Sequence, residues 1–305
     1  MRANGGHEYR EQVTAAAAGV PLLEYLSGRY LHSSREQWRQ RIGTGQVLID
    51  GRGRDPMAPL RLGEVVVWRR PPWVEPAAPL VFDRIHEDGS LLAVSKPAGL
   101  PVLPGAGFLW NTLLHQVRAL DPGAVPMHRL GRFTSGIVLF ARTAGARAAV
   151  ASAWRRGDVQ RDYRGLACGR PTRASFRVDR RIGPIPHPVL GTVHAATPDG
   201  RDAGTRVRVL EQRDRLFLAG LRIETGRPHQ IRIHLAAAGH PLAGDPLYGP
   251  GGRPTADCRA LPGDPGYLLH AERLTLTHPD HGRRLELVAP PPPALRLESE
   301  PNPRR

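Results

Sequence analysis

The chain has 305 residues, with 43 lysines and arginines against 28 aspartates and glutamates, so its formal net charge is +15. Such a charge favours a polyanionic partner, with nucleic acid ahead of an anionic membrane surface. The sequence has no apolar run of about 18 residues, no signal peptide and no metal-ligand spacing among its 13 histidines and two cysteines. We therefore expect a cytoplasmic protein with no membrane segment, disulfide or metal.

A proline-rich stretch divides the chain into two parts. Residues 71–80 hold four prolines, a composition typical of a linker, and a second proline run at 290–293 is expected to end the folded part. We therefore predict a small domain over residues 12–72, a larger domain over 80–292 and a disordered tail over 293–305.

The small domain is predicted to contain two helices followed by two strands. Ser34 and Gln37 match a capping box, which predicts that the second helix starts directly after Ser34. A short apolar strand at 46–49 is followed by an Asp-Gly turn signal, and a strand at 65–68 closes the unit.

This layout resembles the small RNA-binding domain named after ribosomal small-subunit protein four. The matching stretches are SSREQWRQRIGTGQVLIDG and LGEVVVW. In that family the second helix and the turn after it face RNA, so the resemblance assigns Arg35, Arg39 and Arg41 to phosphate contacts. A solvated helix face is the alternative interpretation of these arginines.

The larger domain mixes strands and helices. Residues 91–95 form a buried-strand pattern, and Asn111 and Thr143 are predicted to cap two helices. Residues 205–210 and 216–223 are predicted to form a hairpin. Strands with interspersed helices and no regular βαβ repeat predict an α+β fold with a mixed, mostly antiparallel sheet.

Positive charge is concentrated in one stretch of this domain. Residues 128–173 contain ten arginines and two aspartates, whereas the first 75 residues contain eleven arginines and eight acidic residues. A groove that follows RNA phosphates would concentrate charge in this way, and a merely solvated surface would spread it.

Five sequence blocks carry a second resemblance. They are SKPAGLPV (95–102), HRLGRFTSG (128–136), QRDYRGLACG (160–169), TGRPHQIRIHLAAAGHPLAGDPLYG (225–249) and LHAERLTLTHP (269–279). In this order they resemble the signatures of the RluA family of RNA pseudouridine synthases. The resemblance implies that the protein turns uridine into pseudouridine without a cofactor. The target base leaves the helical stack, its C–N bond to the sugar breaks and a C–C bond forms.

One position departs from the family pattern. The family places its essential aspartate directly after the HRL of the second block, where this chain has Gly131. A carboxylate is used there much as glycosidases use one at an anomeric carbon. Glycine can act as neither nucleophile, acid nor base.

The resemblance assigns roles to other residues. Tyr163 matches the aromatic residue that stacks on the target base, and Arg232 matches the arginine that pairs with the missing aspartate. Because a buried guanidinium without a partner is costly, we expect Arg232 to meet another carboxylate, an RNA phosphate or a bound anion. Asp245 is the first candidate for a compensating carboxylate. The remaining candidates are Asp158 and Asp162 as weaker carboxylates, and Arg129 and Arg132 as RNA contacts.

Three hypotheses follow from the sequence. The favoured one is an RNA pseudouridine synthase that acts, as a monomer, on large-subunit ribosomal RNA or on transfer RNA, through a relocated carboxylate or a substrate-assisted route. The alternative is a catalytically inactive RNA-binding relative that acts in ribosome assembly or RNA folding. An enzyme that acts on another glycosidic or phosphate bond is the third, because fold alone does not fix activity.

Overall fold

The computed structural model describes residues 3–30 and 32–300. The chain forms two compact units, Met1–Glu75 and Pro76–Arg305. Within the described residues, no helix has the length and apolar character needed to cross a membrane.

The N-terminal unit packs two helices against a three-stranded antiparallel sheet of order β1-β3-β2. The capping box is confirmed, because the Ser34 side chain accepts from the Gln37 amide at 3.2 Å and the Gln37 side chain accepts from the Ser34 amide at 2.8 Å. Trp38 is fully buried in the core of this unit. The elements are β1 (His7–Gln12), α1 (Leu22–Arg29), α2 (Arg35–Gly43), β2 (Val47–Ile49) and β3 (Val65–Arg70), with a 3₁₀ turn at Ala15–Ala17.

The second unit is built on a ten-stranded sheet. Its strands are β4 (Asp83–Glu87), β5 (Leu91–Lys96), β6 (Val125–Pro126), β7 (Ser135–Ala141), β8 (Gln160–Cys168), β9 (Ser175–Asp179), β12 (Gly204–Arg213), β13 (Leu216–Ile223), β14 (Leu269–Thr277) and β15 (Arg284–Val288). A separate hairpin is formed by β10 (Ile182–His187) and β11 (Gly191–Ala196), and the helices are α3 (Leu113–Leu120), α4 (Ala144–Arg156) and α5 (Gln230–Ala237).

The prediction of a mixed, mostly antiparallel sheet is confirmed. The main path runs β4-β5-β7-β14-β8-β13-β12-β9, and among the pairings of the described strands β7 with β14 is parallel while the others are antiparallel. A Cβ on Gly136, at the start of β7, would lie 2.2 Å from the Ala271 carbonyl oxygen on β14, so glycine is required for this close approach. The pairing brings three of the five sequence blocks to the centre of the sheet.

The single lysine of the chain has a structural position. Lys96 is 1% exposed, and its Nζ donates to the carbonyl oxygens of Pro97, Leu100 and Arg132 at 2.9, 2.8 and 3.0 Å. Burial lowers its pKa to about 7. Three carbonyl partners satisfy the ammonium and tie the segment after Gly131 to the end of β5.

Two local predictions were wrong. Helix α3 is capped by Thr112, which accepts from the His115 amide at 3.2 Å, because Asn111 instead donates to the Pro76 carbonyl at 2.9 Å. The tail predicted to be disordered is ordered over its described part, residues 293–300. Leu295 is fully buried and Glu300 forms an ion pair with Arg164 at 2.7 Å, whereas residues 301–305 lie outside the described residues. The burial of Leu295 and the partly buried ion pair of Glu300 with Arg164 hold this segment in place despite its proline-rich, polar composition.

Candidate active site

A cavity of about 300 Å³ lies where β8, the start of α5 and the loop before β7 meet. We call it the Tyr163 pocket. Its polar lining is basic or neutral, and none of the described residues that line it is an aspartate or glutamate. That lining includes His128, Arg129, Gly131, Thr134, Arg161, Tyr163, Arg227, His229, Arg232 and Tyr267.

Alternation along β8 decides which of its side chains face the pocket. Arg161 and Tyr163 line it, whereas Asp162 points to the other face and pairs with Arg222 at 2.6 Å. Asp158 lies just before β8, is half exposed and pairs with Arg156 at 2.7 Å. Neither aspartate lines the pocket, so neither takes the place of the missing carboxylate.

Arg232 and Asp245 form a buried ion pair beside the pocket. Arg232 Nε and Nη2 each donate to one oxygen of the Asp245 carboxylate at 2.7 Å, and the side chains are 3% and 1% exposed. Burial alone would lower the pKa of Arg232, but the hydrogen bonds and charge of Asp245 outweigh it and the pKa is raised. Asp245 also accepts from the backbone amides of Leu247 and Tyr248 at 2.9 and 3.2 Å. Its oxygens are engaged, so it holds Arg232 and presents no carboxylate to the pocket.

Two tyrosine rings lie against the Arg232 guanidinium. Its central carbon is 4.2 Å from the ring centre of Tyr267 and 5.0 Å from that of Tyr248. The Tyr248 hydroxyl donates to the His194 carbonyl at 2.9 Å and accepts from His229 at 2.7 Å. Burial lowers the pKa of His229 to about 4, so this histidine is neutral at pH 7.

Close backbone contact brings Tyr267 to this place. A Cβ on Gly266 would lie 2.2 Å from the Gly244 carbonyl oxygen, and a Cβ on Gly244 would lie 2.3 Å from the Gly266 carbonyl oxygen. Only glycines allow the two segments to touch in this way. The contact sets Asp245 and Tyr267, the residues that follow these glycines, around Arg232.

Gly131 faces the Tyr267 hydroxyl. The φ of Gly131 is outside the left-handed region, so its backbone would accept a side chain. A Cβ there would lie 3.1 Å from the Tyr267 hydroxyl and 3.3 Å from that of Thr134, and these two hydroxyls are 3.4 Å apart. The Tyr267 oxygen thus stands where a side chain at position 131 would point. Sequence reasoning missed Tyr267 because it precedes the LHAERLTLTHP block.

A second guanidinium on the opposite wall has no carboxylate partner among the described residues. Arg161 is 9% exposed, its Nε is buried without a hydrogen-bond partner, and burial lowers its pKa. The neighbouring His128 accepts from the Leu139 amide at 3.1 Å and stacks on Trp154 at 5.0 Å. Burial lowers the pKa of His128 to about 4, which keeps it neutral. Sequence reasoning missed Arg161, although it lies in the third block.

The predicted RNA-contacting arginines of the second unit differ in placement. Arg129 is exposed and lines the Tyr163 pocket. Arg132 does not line it, because its guanidinium packs 4.6 Å from the Phe108 ring and 5.0 Å from the Phe133 ring, and its Nε donates to Gly99 at 3.2 Å. Arg132 therefore holds the loop and does not face the pocket.

The predicted RNA-contacting arginines of the N-terminal unit lie on α2. Arg35 pairs with Glu24, and Arg39 lies 4.0 Å from Glu36. Arg41 lies between the rings of Trp38 and Trp68, at 4.6 and 4.8 Å, and donates to Ser33. Arg35 and Arg39 are about half exposed and remain open to a ligand, whereas Arg41 is partly covered by aromatic rings.

Potential metal ligands meet away from the Tyr163 pocket. The ligand atoms of His86, Asp88 and His278 lie within 4.8 Å of one another. Both imidazoles bond to the same Asp88 oxygen, at 2.6 and 2.9 Å, and the other nitrogen of His278 accepts from the Asp280 amide at 3.3 Å. The geometry is that of two imidazoles hydrogen-bonded to one carboxylate oxygen.

Comparison with known proteins identifies the relatives of this chain. Residues 90–237 match the family model described as RNA pseudouridylate synthase. An uncharacterised RNA pseudouridine synthase of Synechocystis is 42% identical over 90% of this chain and 95% of its own length. RNA pseudouridine synthase 5 of Arabidopsis thaliana is 35% identical over 97% and 96%, and ribosomal large subunit pseudouridine synthase D of Escherichia coli is 33% identical over 93% and 92%.

The fold has solved counterparts. Human RNA pseudouridylate synthase domain containing 1 superposes with a TM-score of 0.57 at 24% identity, over 73% of this chain and 89% of the human chain. This likeness concerns the fold, whereas the curated relatives match almost the whole chain. The protein belongs to the RNA pseudouridine synthase family, of the RluA and RluD type.

Proposed function

We propose that this protein isomerises uridine in large-subunit ribosomal RNA at the Tyr163 pocket. The observation that carries the proposal is the placement of Tyr163 and the ion-paired Arg232 on the lining of one basic cavity. An aromatic face beside fixed positive charge suits a base that has left its stack while its phosphates stay in solvent.

Each wall of the pocket has a part in this reaction. Stacking on an aromatic side chain stabilises a bound base by about 1–3 kcal/mol, which offsets part of the unstacking cost. Arg129 and Arg227 also line the cavity and supply positive charge for the RNA backbone. The pair of Arg232 with Asp245 keeps a guanidinium in place before RNA arrives, so no reorganisation is needed on binding.

The choice of RNA rests on the relatives. The Escherichia coli relative, and the relatives from Yersinia pestis and Xanthomonas campestris, are named as ribosomal large subunit pseudouridine synthases. We extend that target class to this chain. Arginine contacts to phosphates carry no sequence information, so the target uridine is set by groups other than these arginines.

The N-terminal unit is proposed to be an RNA-binding domain of the ribosomal small-subunit protein four type, over residues 12–72. Supporting this, Arg35 and Arg39 lie half exposed on α2, directly after a capping box. Arg41, between two tryptophan rings, offers a stacked cation at the end of the same helix.

A second candidate function is favoured by one observation. Because no described carboxylate lines the Tyr163 pocket, a catalytically inactive protein that binds RNA during ribosome assembly or RNA folding is the alternative. Arg232 is neutralised by Asp245 whether or not the chain is an enzyme, so the ion pair alone does not separate the two functions.

The test uses RNA tritiated at C5 of uracil, since forming pseudouridine releases that hydrogen to water. Transcripts of large-subunit RNA, small-subunit RNA and transfer RNA made in vitro carry unmodified uridine and are compared side by side. We expect release from the large-subunit transcript, and a strong decrease for Tyr163→Ala. Tight binding of all three transcripts without release would establish the RNA-binding alternative, and release from transfer RNA alone would overturn the ribosomal target.

A further inference from the structure

The hydroxyl of Tyr267 occupies the place of the missing carboxylate. It lies 3.1 Å from the point where a Cβ on Gly131 would be, on the lining of the Tyr163 pocket. We propose that Tyr267 is the catalytic residue that supplies the reacting oxygen to the sugar of the target uridine. This inference rests on the proposed isomerisation and names the group that performs it.

Gly131 and Tyr267 depend on each other sterically. A contact of 3.1 Å is tighter than nine in ten Cβ contacts in proteins, so a side chain at 131 would displace the phenol by a few tenths of an ångström. The backbone at 131 would accept another residue, so conformational freedom gives no reason for glycine there. Its absent side chain is what leaves room for the Tyr267 oxygen.

The surroundings hold the Tyr267 phenol in position. The Arg232 guanidinium lies 4.2 Å from the Tyr267 ring centre, and Asp245 fixes it there with two bonds of 2.7 Å. The Thr134 hydroxyl, 3.4 Å from the Tyr267 oxygen, can donate to it. These contacts hold the ring and its hydroxyl beside position 131.

The other oxygens near the pocket are less suited. Both Asp245 oxygens are bonded to Arg232, and Asp162 points to the opposite face of the sheet. Tyr163 lines the pocket, but burial raises its pKa, which disfavours a phenolate there. Tyrosine is an established nucleophile at an anomeric carbon in sialidases, so the chemistry has a precedent outside this fold.

The proposed steps balance without a co-reactant. The phenol first loses its proton to water, and the phenolate oxygen forms a bond to C1′ while the C1′–N1 bond breaks and leaves its electron pair on the uracil. The freed base turns, and its C5 forms the new bond to C1′ as the C1′–O bond breaks and returns its electron pair to Tyr267. The base then loses the C5 proton to water and gains one at N1.

Substitution of the hydroxyl is the first test. Tyr267→Phe keeps the ring on Arg232 and removes one oxygen, so the fold is retained. We expect tritium release to fall at least about 100-fold while RNA binding is kept, the size typical of losing one reacting group. Tyr248→Phe is the matched control, because that ring also lies on Arg232 while Tyr248 itself does not line the pocket. It should retain most of the activity.

Rescue at position 131 gives a second readout. Gly131→Asp alone should lower activity, since the new side chain displaces the phenol, whereas Gly131→Asp with Tyr267→Phe should regain activity by using the carboxylate. Tritium release by the wild type, the two single variants and the double variant, measured side by side at one pH, checks the rescue.

The outcomes separate this inference from the proposed function. Full activity of Tyr267→Phe would overturn the role of Tyr267 and leave the enzyme assignment intact. An inactive wild type that binds RNA would instead defeat the proposed isomerisation, and Tyr267 with it. Activity lost in Tyr267→Phe and regained in the double variant supports the inference.

Discussion

Each of two walls of the Tyr163 pocket contains a buried guanidinium, and the two guanidinium groups differ in their hydrogen-bond partners. On the α5 wall, Arg232 is bonded to both Asp245 oxygens and to the Pro262 carbonyl, at 2.7 Å in each case. On the β8 wall, the Nε of Arg161 is also buried but has no hydrogen-bond partner. The two residues line the same cavity and carry the same charge.

In the free protein, the Arg232 guanidinium has its hydrogen-bond partners, whereas the Nε of Arg161 has none. Folding compensates the desolvation of Arg232 with a carboxylate, so this wall is rigid before RNA binds. Arg161 remains under-satisfied, and a buried unsatisfied donor costs about 1–3 kcal/mol. We interpret Arg161 as a residue whose partner is an RNA oxygen, which makes the β8 wall the one that substrate completes.

Removing the carboxylate that pairs with Arg232 should have the largest effect on stability. Asp245→Asn leaves the Arg232 charge buried and unpaired, so we expect the free energy of unfolding to fall by about 3–5 kcal/mol, with loss of tritium release. Urea unfolding measures the change. Asp214→Asn is the control, because its pair with Arg170 is exposed and should contribute less than about 1 kcal/mol. Equal effects of the two variants would contradict the contrast between the walls.

Removing the β8 guanidinium should move stability and binding in opposite directions. Arg161→Met deletes an uncompensated buried charge while keeping an apolar chain, so we expect stability to be unchanged or higher. RNA affinity should fall roughly tenfold or more, the value of a lost hydrogen bond to a charged group. Urea unfolding and filter binding measure the two effects. A large loss of stability would show that Arg161 already has a partner in the free protein.

Acid should lower the free energy of unfolding by protonating His128 and His229, two neutral histidines that line the pocket. Burial lowers the pKa of His128 and of His229 to about 4, well below the usual 6.5 of a histidine. The unfolded chain therefore takes up these protons first as the pH falls, so stability should decrease from about pH 6.5 down to about pH 4 and be fully present above that range. The midpoint of urea unfolding, measured across these pH values, checks the sign. His128→Gln should flatten the slope, whereas His7→Gln, at an exposed position, should not.

Local signals carried much of the fold. The capping box at Ser34 and the cap at Thr143 depend on residues three apart, and both are found. The family resemblance implied roles for Tyr163 and Arg232 at one site, and in the structure both line one cavity. The tail shows the limit, since the burial of Leu295 depends on contacts with a distant sheet that composition does not encode.

The site itself was less accessible from the sequence. The contact between Tyr267 and Gly131 joins two loops through the close approach of Gly244 and Gly266, and no spacing rule predicts it. The sequence could name Asp245 as a candidate carboxylate. Only the structure shows that both of its oxygens are bonded to Arg232. A missing residue is visible in a sequence, whereas the atom that fills its place is visible only in three dimensions.

The smallest effects should come from the N-terminal unit, because its arginines Arg35 and Arg39 are exposed whereas the two guanidinium groups of the pocket walls are buried. Arg35 pairs with Glu24 and Arg39 lies 4.0 Å from Glu36, and all four side chains are about half exposed or more. Such pairs contribute about 0–1 kcal/mol, so Arg35→Gln and Arg39→Gln should leave unfolding almost unchanged. If these arginines bind phosphates, each variant should reduce the slope of log affinity against log salt by about 1 and weaken large-subunit and unrelated RNA alike. An unchanged slope in both variants would show that α2 presents a solvated helix face. RNA binding would then depend on the second unit, which contains the Tyr163 pocket.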